Sequence, residues 1–418
     1  MNIRWMIIQS SLLSFMVLFT TGLKGQDAVL TINNAVESAM DRNPVLQQLR
    51  AVLKQEQQNL RTETGIESPE VSYFREGIQT GMDELFDEQR IAISQQIDFP
   101  LTTVYRLKSA KQSIMSVEYQ INALERGIKS EVKSHYIEVL YALYLQRSRN
   151  EQLEIATELY NAVYSRFETG MATGVDLTNA ELQLEQAKND LDESEWVLHR
   201  ARYGLFNAMG LPEEEQRYSI KFADTLRAED IVISQLESLE FQNDQPAYLA
   251  VAHELNAAQY DLKEAKSNIL PDIRLSLYKQ DFGEGYNYNG FEVGLSIPLW
   301  YPLEQKGRIN KAVARKEELG WKQDEVRLEM KKQIEYAWHN YSVSRKIIRR
   351  YNESMKEKAA NLRSMALRSY QLGEIDLLNL LNAQQTYNES EQRYLEALRD
   401  YFLQLVALEK YMNKNLVY

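Results

Sequence analysis

Residues 163–208 and 366–411 carry one pattern twice, displaced by 203 positions without a gap (366 − 163 = 203), so the fold is built from two similar halves. Phe167 falls on Tyr370, Gly170 on Gly373, Leu177 on Leu380, Asn179 on Asn382 and Ala180 on Ala383. Upstream the matches continue at an offset of 202: Pro69 with Pro271, Arg106 with Arg308, Tyr136 with Trp338. Pro100 and Pro298 differ by 198 (298 − 100 = 198), so one connection changed length. This period far exceeds the 20–50 residues of a solenoid repeat and implies one fold doubled.

Each copy has a seam of alternating large and small residues. Copy one reads Leu177, Ala180, Leu184, Ala187, Leu191, Ser194, Leu198, Ala201, Leu205, Ala208. Copy two reads Leu380, Ala383, Tyr387, Ser390, Tyr394, Ala397, Tyr401, Gln404, Leu408, Tyr411. Three-four spacing sustained this long calls for supercoiled helices, and the small positions let neighbours approach closely. An ordinary amphipathic helix is the simpler alternative, but it does not account for the recurrence.

All eight prolines lie at 44, 69, 100, 212, 246, 271, 298 and 302, leaving 101–211 and 303–418 free of them. Ile128, Val132, Tyr136, Val139 and Leu143 trace one helical face in the first stretch. At 1.5 Å per residue, Val104–Gly170 and Leu303–Gly373 each reach roughly 100 Å, too long for a compact globule. Glycines then break both helices, at Gly170-Met-Ala-Thr-Gly174 and Gly373-Glu-Ile-Asp376, and a heptad helix follows. That order predicts antiparallel helical hairpins; the alternative is a glycine tolerated inside one continuous helix.

Ahead of each long hairpin the period changes to two. Val71 and Tyr73 flank Ser72; Ile91, Ile93 and Ile97 alternate with Ala92, Ser94 and Gln96. In the second half Ile273, Leu275 and Leu277, then Phe291, Val293, Leu295 and Ile297, do the same. These are two β-hairpins, each with an apolar and a polar face, joined through Gly77–Gly81 and Gly283–Gly290. Four strands cannot close a membrane barrel, so a membrane role requires several chains, and three supply twelve strands. A soluble sheet packed on helices is the other reading.

Composition excludes more than it assigns. Net charge is −12 with no basic run, which argues against nucleic-acid partners. Arg4, an apolar Met6–Leu18 and a small-residue stretch Thr20–Gly25 resemble a secretory leader, with a membrane anchor as the alternative. Its loss removes Arg4 and Lys24 and leaves −14 (−12 − 2 = −14). The chain has no cysteine, which excludes disulfides, thiol chemistry and a lipid on an N-terminal cysteine. His135, His199, His253 and His339 are dispersed without metal-ligand spacing, and no phosphate loop or nucleophile elbow is present. No enzyme, cofactor or metal is expected.

The turn patterns Phe167-x-x-Gly170…Val175-Asp176-Leu177-x-Asn179-Ala180 and Tyr370-x-x-Gly373…Asn379-Leu380-Leu381-Asn382-Ala383-Gln384 resemble those of the TolC family of outer-membrane efflux channels. Asn43-Pro44 and Asp244-Gln245-Pro246 are similar to its repeat openings. The resemblance covers nearly all of the chain after the leader. It implies a mainly α fold with a small β part: two tandem repeats of long coiled-coil hairpins plus β-hairpins. Three protomers then form a 12-stranded outer-membrane barrel and a periplasmic helical tunnel. The segments implied are a leader at 1–25, a first repeat at 26–212 with hairpins near 70–99 and 104–210, a linker at 213–245, and a second repeat at 246–418 with hairpins near 272–299 and 303–413.

The resemblance also implies a passive channel, for efflux or type I secretion, in the outer membrane of a Gram-negative bacterium. Its partners are outer-membrane lipid, a periplasmic adapter and an inner-membrane pump, the last two meeting its tips. Gly170, Met171, Thr173, Gly174 and Gly373 are the implied docking tips. The family's two acidic constriction positions are Asn379 and Asn382 here, while Glu374 and Asp376 lie close by. Amide rings narrow a pore without an aspartate ring's cation-attracting field. Tyr370 and Asp176 match a pair that ties the hairpins together when closed; Ile375 replaces the arginine of a second tie, implying a weaker latch. The small linker is similar to shorter, heavy-metal-efflux members. A secreted coiled-coil scaffold and a periplasmic adapter remain as rivals, although adapters fold their helical hairpin once.

Overall fold

The computed structural model describes residues 29–64, 66–77, 88–211, 220–227, 231–234, 244–282, 287–297, 304–412 and 414–417. The expected leader, most of the Gly77–Gly81 connection, 283–286, Pro212, Pro298, Pro302 and most of the 213–245 linker lie outside them. In chain order the elements are β1 (Val29–Leu30), α1 (Ile32–Arg42), α2 (Pro44–Thr62), β2 (Glu70–Glu76), β3 (Glu88–Ile97), α3 (Pro100–Glu168) and α4 (Gly174–Ala208). After these come β4 (Lys221–Phe222), α5 (Pro246–Ser267), β5 (Asp272–Asp281), β6 (Asn287–Ser296), α6 (Gln305–Arg350), a π-helical turn (Tyr351–Met355), α7 (Lys356–Leu372) and α8 (Leu377–Met412). The protein is mainly helical with a small sheet part.

Helix starts follow local chemistry. Asn43 accepts from the Leu46 amide at 3.0 Å while Pro44 opens α2, and Pro100 and Pro246 open α3 and α5, where a missing amide hydrogen costs nothing. With 69 residues, α3 is about 100 Å long at the usual helical rise.

The four long strands form one antiparallel sheet in the order β2-β3-β5-β6. Its register aligns Val71, Ile93, Leu277 and Phe291 in one row across all four strands. Ile97, Ile273 and Leu295 form another row on the same face. The opposite face carries Glu70, Ser94, Ser276 and Glu292 in one row, with the two serine hydroxyls 2.8 Å apart. Val71, Leu277 and Phe291 are exposed, so the apolar face has no cover among the described residues. Among the described residues, β2 and β6 each have one unpaired edge.

Below the sheet, α3 packs on α5 through residues seven apart. Thr102 bonds Ser267 at 2.9 Å, Ser109 donates to the Ala257 carbonyl at 3.2 Å, and Ser116 donates to that of Ala250 at 2.8 Å. Arg106 ties the junction of sheet and helices together, with Asp98 at 2.7 Å, Glu264 at 2.9 Å and Glu63 at 3.5 Å.

Farther down, α4 packs on α3, α3 on α8, and α8 on α6 and α7. Arg149 of α3 shows the order directly: it reaches Asp190 of α4 at 3.3 Å and Gln392 of α8 at 3.4 Å. The result is a wall of helices whose two edges are α4 and α6/α7. Both heptad seams turn inward, since Ala180, Ser194, Leu198 and Leu205 are buried, as are Leu380, Ala383, Ala397, Tyr401 and Leu408.

The second long helix runs without a gap from Gln305 to Leu372, but it is not uniformly α. Tyr351–Met355 form a π-helical turn between α6 and α7, while the equivalent stretch of α3 is regular helix. A π turn accommodates one extra residue in a helix. It lies between Trp338, where the copies match at 202, and the region where they match at 203. The step in the repeat offset is therefore this turn.

The largest core lies at mid-height, where Tyr136, Tyr341, Tyr401, Leu205, Leu405 and Leu408 are almost fully buried. A belt is pinned to it. β1 and β4 pair in parallel, Tyr136 donates to the Leu30 carbonyl at 2.8 Å, and Trp338 Nε1 donates to that of Ile233 at 3.1 Å. The matched aromatics of the two copies thus do equivalent work.

Burial pushes Tyr351 up to about 12, helped by the charge of Glu391. Burial likewise raises Tyr136, Tyr394 and Tyr411. The unfolded chain ionises its tyrosines first, so stability is full below about pH 10 and is lost as pH rises towards the folded values. A circular-dichroism melt repeated from pH 9 to 12 should show this fall, and Tyr351→Phe should make it shallower. An unchanged melt across that range would contradict the assignment.

Candidate tip and pore-entrance site

The two tips repeat one design. Gly170 (φ 74) and Gly373 (φ 77) take the left-handed conformation that ends α3 and α7. Gly170 donates to the Phe167 carbonyl at 2.9 Å and Met171 to that of Arg166 at 2.8 Å. At the positions 203 later, Gly373 donates to Tyr370 at 3.0 Å and Glu374 to Ser369 at 2.8 Å. These paired bonds satisfy the last carbonyls of each helix, and glycine bears the positive φ without a Cβ penalty.

The outgoing helices are capped at equivalent positions by different residues. Thr173 Oγ1 accepts from the Asp176 amide at 3.1 Å, and Asp176 returns a carboxylate oxygen to the Thr173 amide at 2.9 Å. Asp376 accepts from the Asn379 amide at 2.9 Å. Gly174 is the first residue of α4, so its role is helical and not part of the left-handed turn.

Just above the turns a second apolar cluster joins the copies: Leu159, Val163 and Ala180 from one, Tyr370, Leu377 and Leu380 from the other. Arg166 closes it. Its Nη1 donates to the Tyr370 carbonyl at 2.5 Å, and its guanidinium lies 4.7 Å from the centre of the Tyr370 ring. Burial raises the Tyr370 pKa; Arg166 opposes this, and the charge of Asp176 adds to it.

Of the residues singled out in the sequence, Tyr370 is buried and Asp176 is near enough for its charge to act on the phenol. The Asp176 carboxylate is taken by the amide and hydroxyl of Thr173, however, and no hydrogen bond from the Tyr370 hydroxyl to Asp176 is formed among the described residues. The contact that Tyr370 makes across the hairpins is with Arg166, a residue not repeated in the second copy, where Ser369 stands at the equivalent position. Asn379, Asn382, Glu374 and Asp376 are all exposed at one end of the wall, with Glu374 holding the Ser369 hydroxyl at 2.9 Å. Met171, Val175, Leu372 and Leu378 expose apolar side chains there.

Among the described residues no group of three or more His, Cys, Asp or Glu is arranged to hold a metal ion. No described helix is long and apolar enough to cross a membrane.

The sequence matches the model of the outer membrane efflux protein family over residues 35–211 and 240–414, one segment for each half of the duplication. It is 23% identical over 316 residues to the cobalt-zinc-cadmium resistance protein CzcC of Cupriavidus metallidurans, covering 71% of this chain and 73% of that one. It is 24% identical over 310 residues to the pyoverdine export outer membrane protein OpmQ of Pseudomonas aeruginosa, covering 71% of this chain and 63% of that one. The fold is similar to that of the outer membrane protein VceC of Vibrio cholerae, with a TM-score of 0.79 at 16% identity over 92% of this chain and 97% of that one. It is also similar to CusC, with a TM-score of 0.69 at 16% identity over 94% and 95%. The chain belongs to the outer membrane efflux protein family, the TolC family of channels.

Proposed function

We propose that three copies close into a passive channel of the outer membrane, through which a partner pump expels its cargo. The carrying observation is that sheet and helical wall both end in open edges, while the sheet exposes an apolar face. β6 of one copy pairs with β2 of the next, which gives a twelve-stranded barrel and satisfies the strand edges that lipid leaves without partners. Val71, Leu277 and Phe291 then face lipid, and the Glu70–Ser94–Ser276–Glu292 row faces water. α4 meets α6/α7 of the neighbour, and the tunnel reaches down to the two tips.

At the entrance the exposed Asn379 and Asn382 line the narrowing with amides, and Glu374 and Asp376 supply its negative charge. The apolar Met171, Val175, Leu372 and Leu378 suit a periplasmic adapter, which joins the channel to an inner-membrane pump. The channel itself does no catalysis. Its energy comes from the pump, and its cargo is the one the pump delivers; the family includes relatives named for metal resistance and for pyoverdine export.

The test is direct. Membrane fractions run unheated should give a trimer band that heating abolishes, and the purified protein should conduct in a planar bilayer. A soluble monomer without conductance would overturn the reading.

A further inference from the structure

The internal seam between the copies foretells the seam between chains. Within one chain the two halves meet where α3 lies against α8. There the guanidinium of Arg399 sits 4.9 Å from the centre of the Tyr141 ring, and its Nε is 4.0 Å from Glu138. In a tube of six similar staves, the same junction recurs where α6 of one copy meets α4 of the next. The repeat offsets then identify the residues. Arg399 corresponds to Trp196 of α4 (399 − 203 = 196), Tyr141 to Val343 (141 + 202 = 343) and Glu138 to Asn340 (138 + 202 = 340).

Those positions are shaped for contact. Trp196 is 58% exposed, with the Arg200 guanidinium stacked 4.5 Å from its ring. Val343 and Asn340 line a cavity of about 670 Å³ between α6 and α8, whose wall also includes Ile347, Arg350, Arg393 and Asp400. Charges of opposite sign face each other at the two ends, with Glu396 of the cavity wall between them. Below Trp196, α4 carries Glu193, and above it Arg200; the α8 wall of the cavity runs from Arg393 below to Asp400 above. One heptad higher, Tyr203 and Tyr336 stand in the same relation and are both exposed.

We propose that Trp196 of one copy seats in the α6–α8 cavity of its neighbour, against Val343, as the anchor of the contact between chains. An indole seated in a groove supplies the large rigid contact area that anchors interfaces, bordered here by charged side chains of both signs. This inference rests on the trimeric reading above and goes beyond it in naming the residues.

The natural absence of cysteine makes the test clean. Trp196→Cys with Val343→Cys should give covalent dimers and trimers on non-reducing denaturing gels after mild oxidation in membranes. Tyr203→Cys with Tyr336→Cys, which leaves Trp196 intact, should do the same. Leu182→Cys with Val343→Cys should give none, because Leu182 lies 14 residues below Trp196 (196 − 182 = 14), about 21 Å along the helix. If the cysteine-free parent forms a heat-sensitive trimer but neither pair crosslinks, or the Leu182 control crosslinks as well as they do, this inference fails alone. A parent that forms no trimer overturns the assembly reading and this inference with it.

Discussion

Lys133→Met is expected to destabilise the protein by about 3–5 kcal/mol, the cost of breaking a buried ion pair by removing one partner. The Lys133 side chain is 5% exposed and its ammonium uses all three donors: Glu409 at 2.6 Å, Asn415 Oδ1 at 2.9 Å and the Val417 carbonyl at 2.7 Å. The other carboxylate oxygen of Glu409 accepts from the amides of Leu416 and Val417, each at 3.2 Å. One ion pair thus fastens the tail after α8 to the middle of α3. Methionine fills the space but leaves the Glu409 charge without its cation. Helix loss on heating, followed by circular dichroism, reads the effect. Lys133→Met combined with Glu409→Leu should recover part of the loss, since an apolar pair leaves no charge buried. A single variant that melts like the parent would dismiss the clamp.

The second large effect is at the tip. Arg166→Ala removes a charge-assisted hydrogen bond to the Tyr370 carbonyl and the cation over its ring, which together contribute about 2–4 kcal/mol to holding the hairpins together. In a planar bilayer the variant should open more often and conduct more than the parent. Arg166→Lys keeps the charge but loses the planar fork, so an intermediate result is expected. Asp176→Ala removes half of a capping box, about 1 kcal/mol of α4 stability, and should change conductance less. The opposite ranking would return the latch to Asp176.

How far the chain can be read unaided differs from element to element. The heptad seams are legible because an inward stripe must be apolar at fixed spacing, and Leu205 and Leu408 are buried where the pattern requires. The strand alternation is legible for the same reason, although here the apolar face points out of the molecule. The π turn is half legible: the offset steps from 202 to 203, yet the step alone does not say whether a loop or a helix absorbs it. Arg166 is not legible, because the residue that ties two copies together need not be repeated in both. Lys133 and Glu409 lie far apart in sequence, and charged residues on helices are ordinarily solvated, so nothing marks these two as buried.

What the sequence by itself determined is the set of parts: a doubled unit, strands of period two, helices too long for a globule, and glycine turns where a positive φ ends them. Such features are set by local geometry, which repeats along the chain and can be counted. Only the tertiary structure decided which parts touch. It gave the Asp176 carboxylate to Thr173, the Tyr370 carbonyl to Arg166, and the tail to Lys133. A side chain with several acceptors in reach is assigned by packing, and packing depends on residues that are distant in sequence.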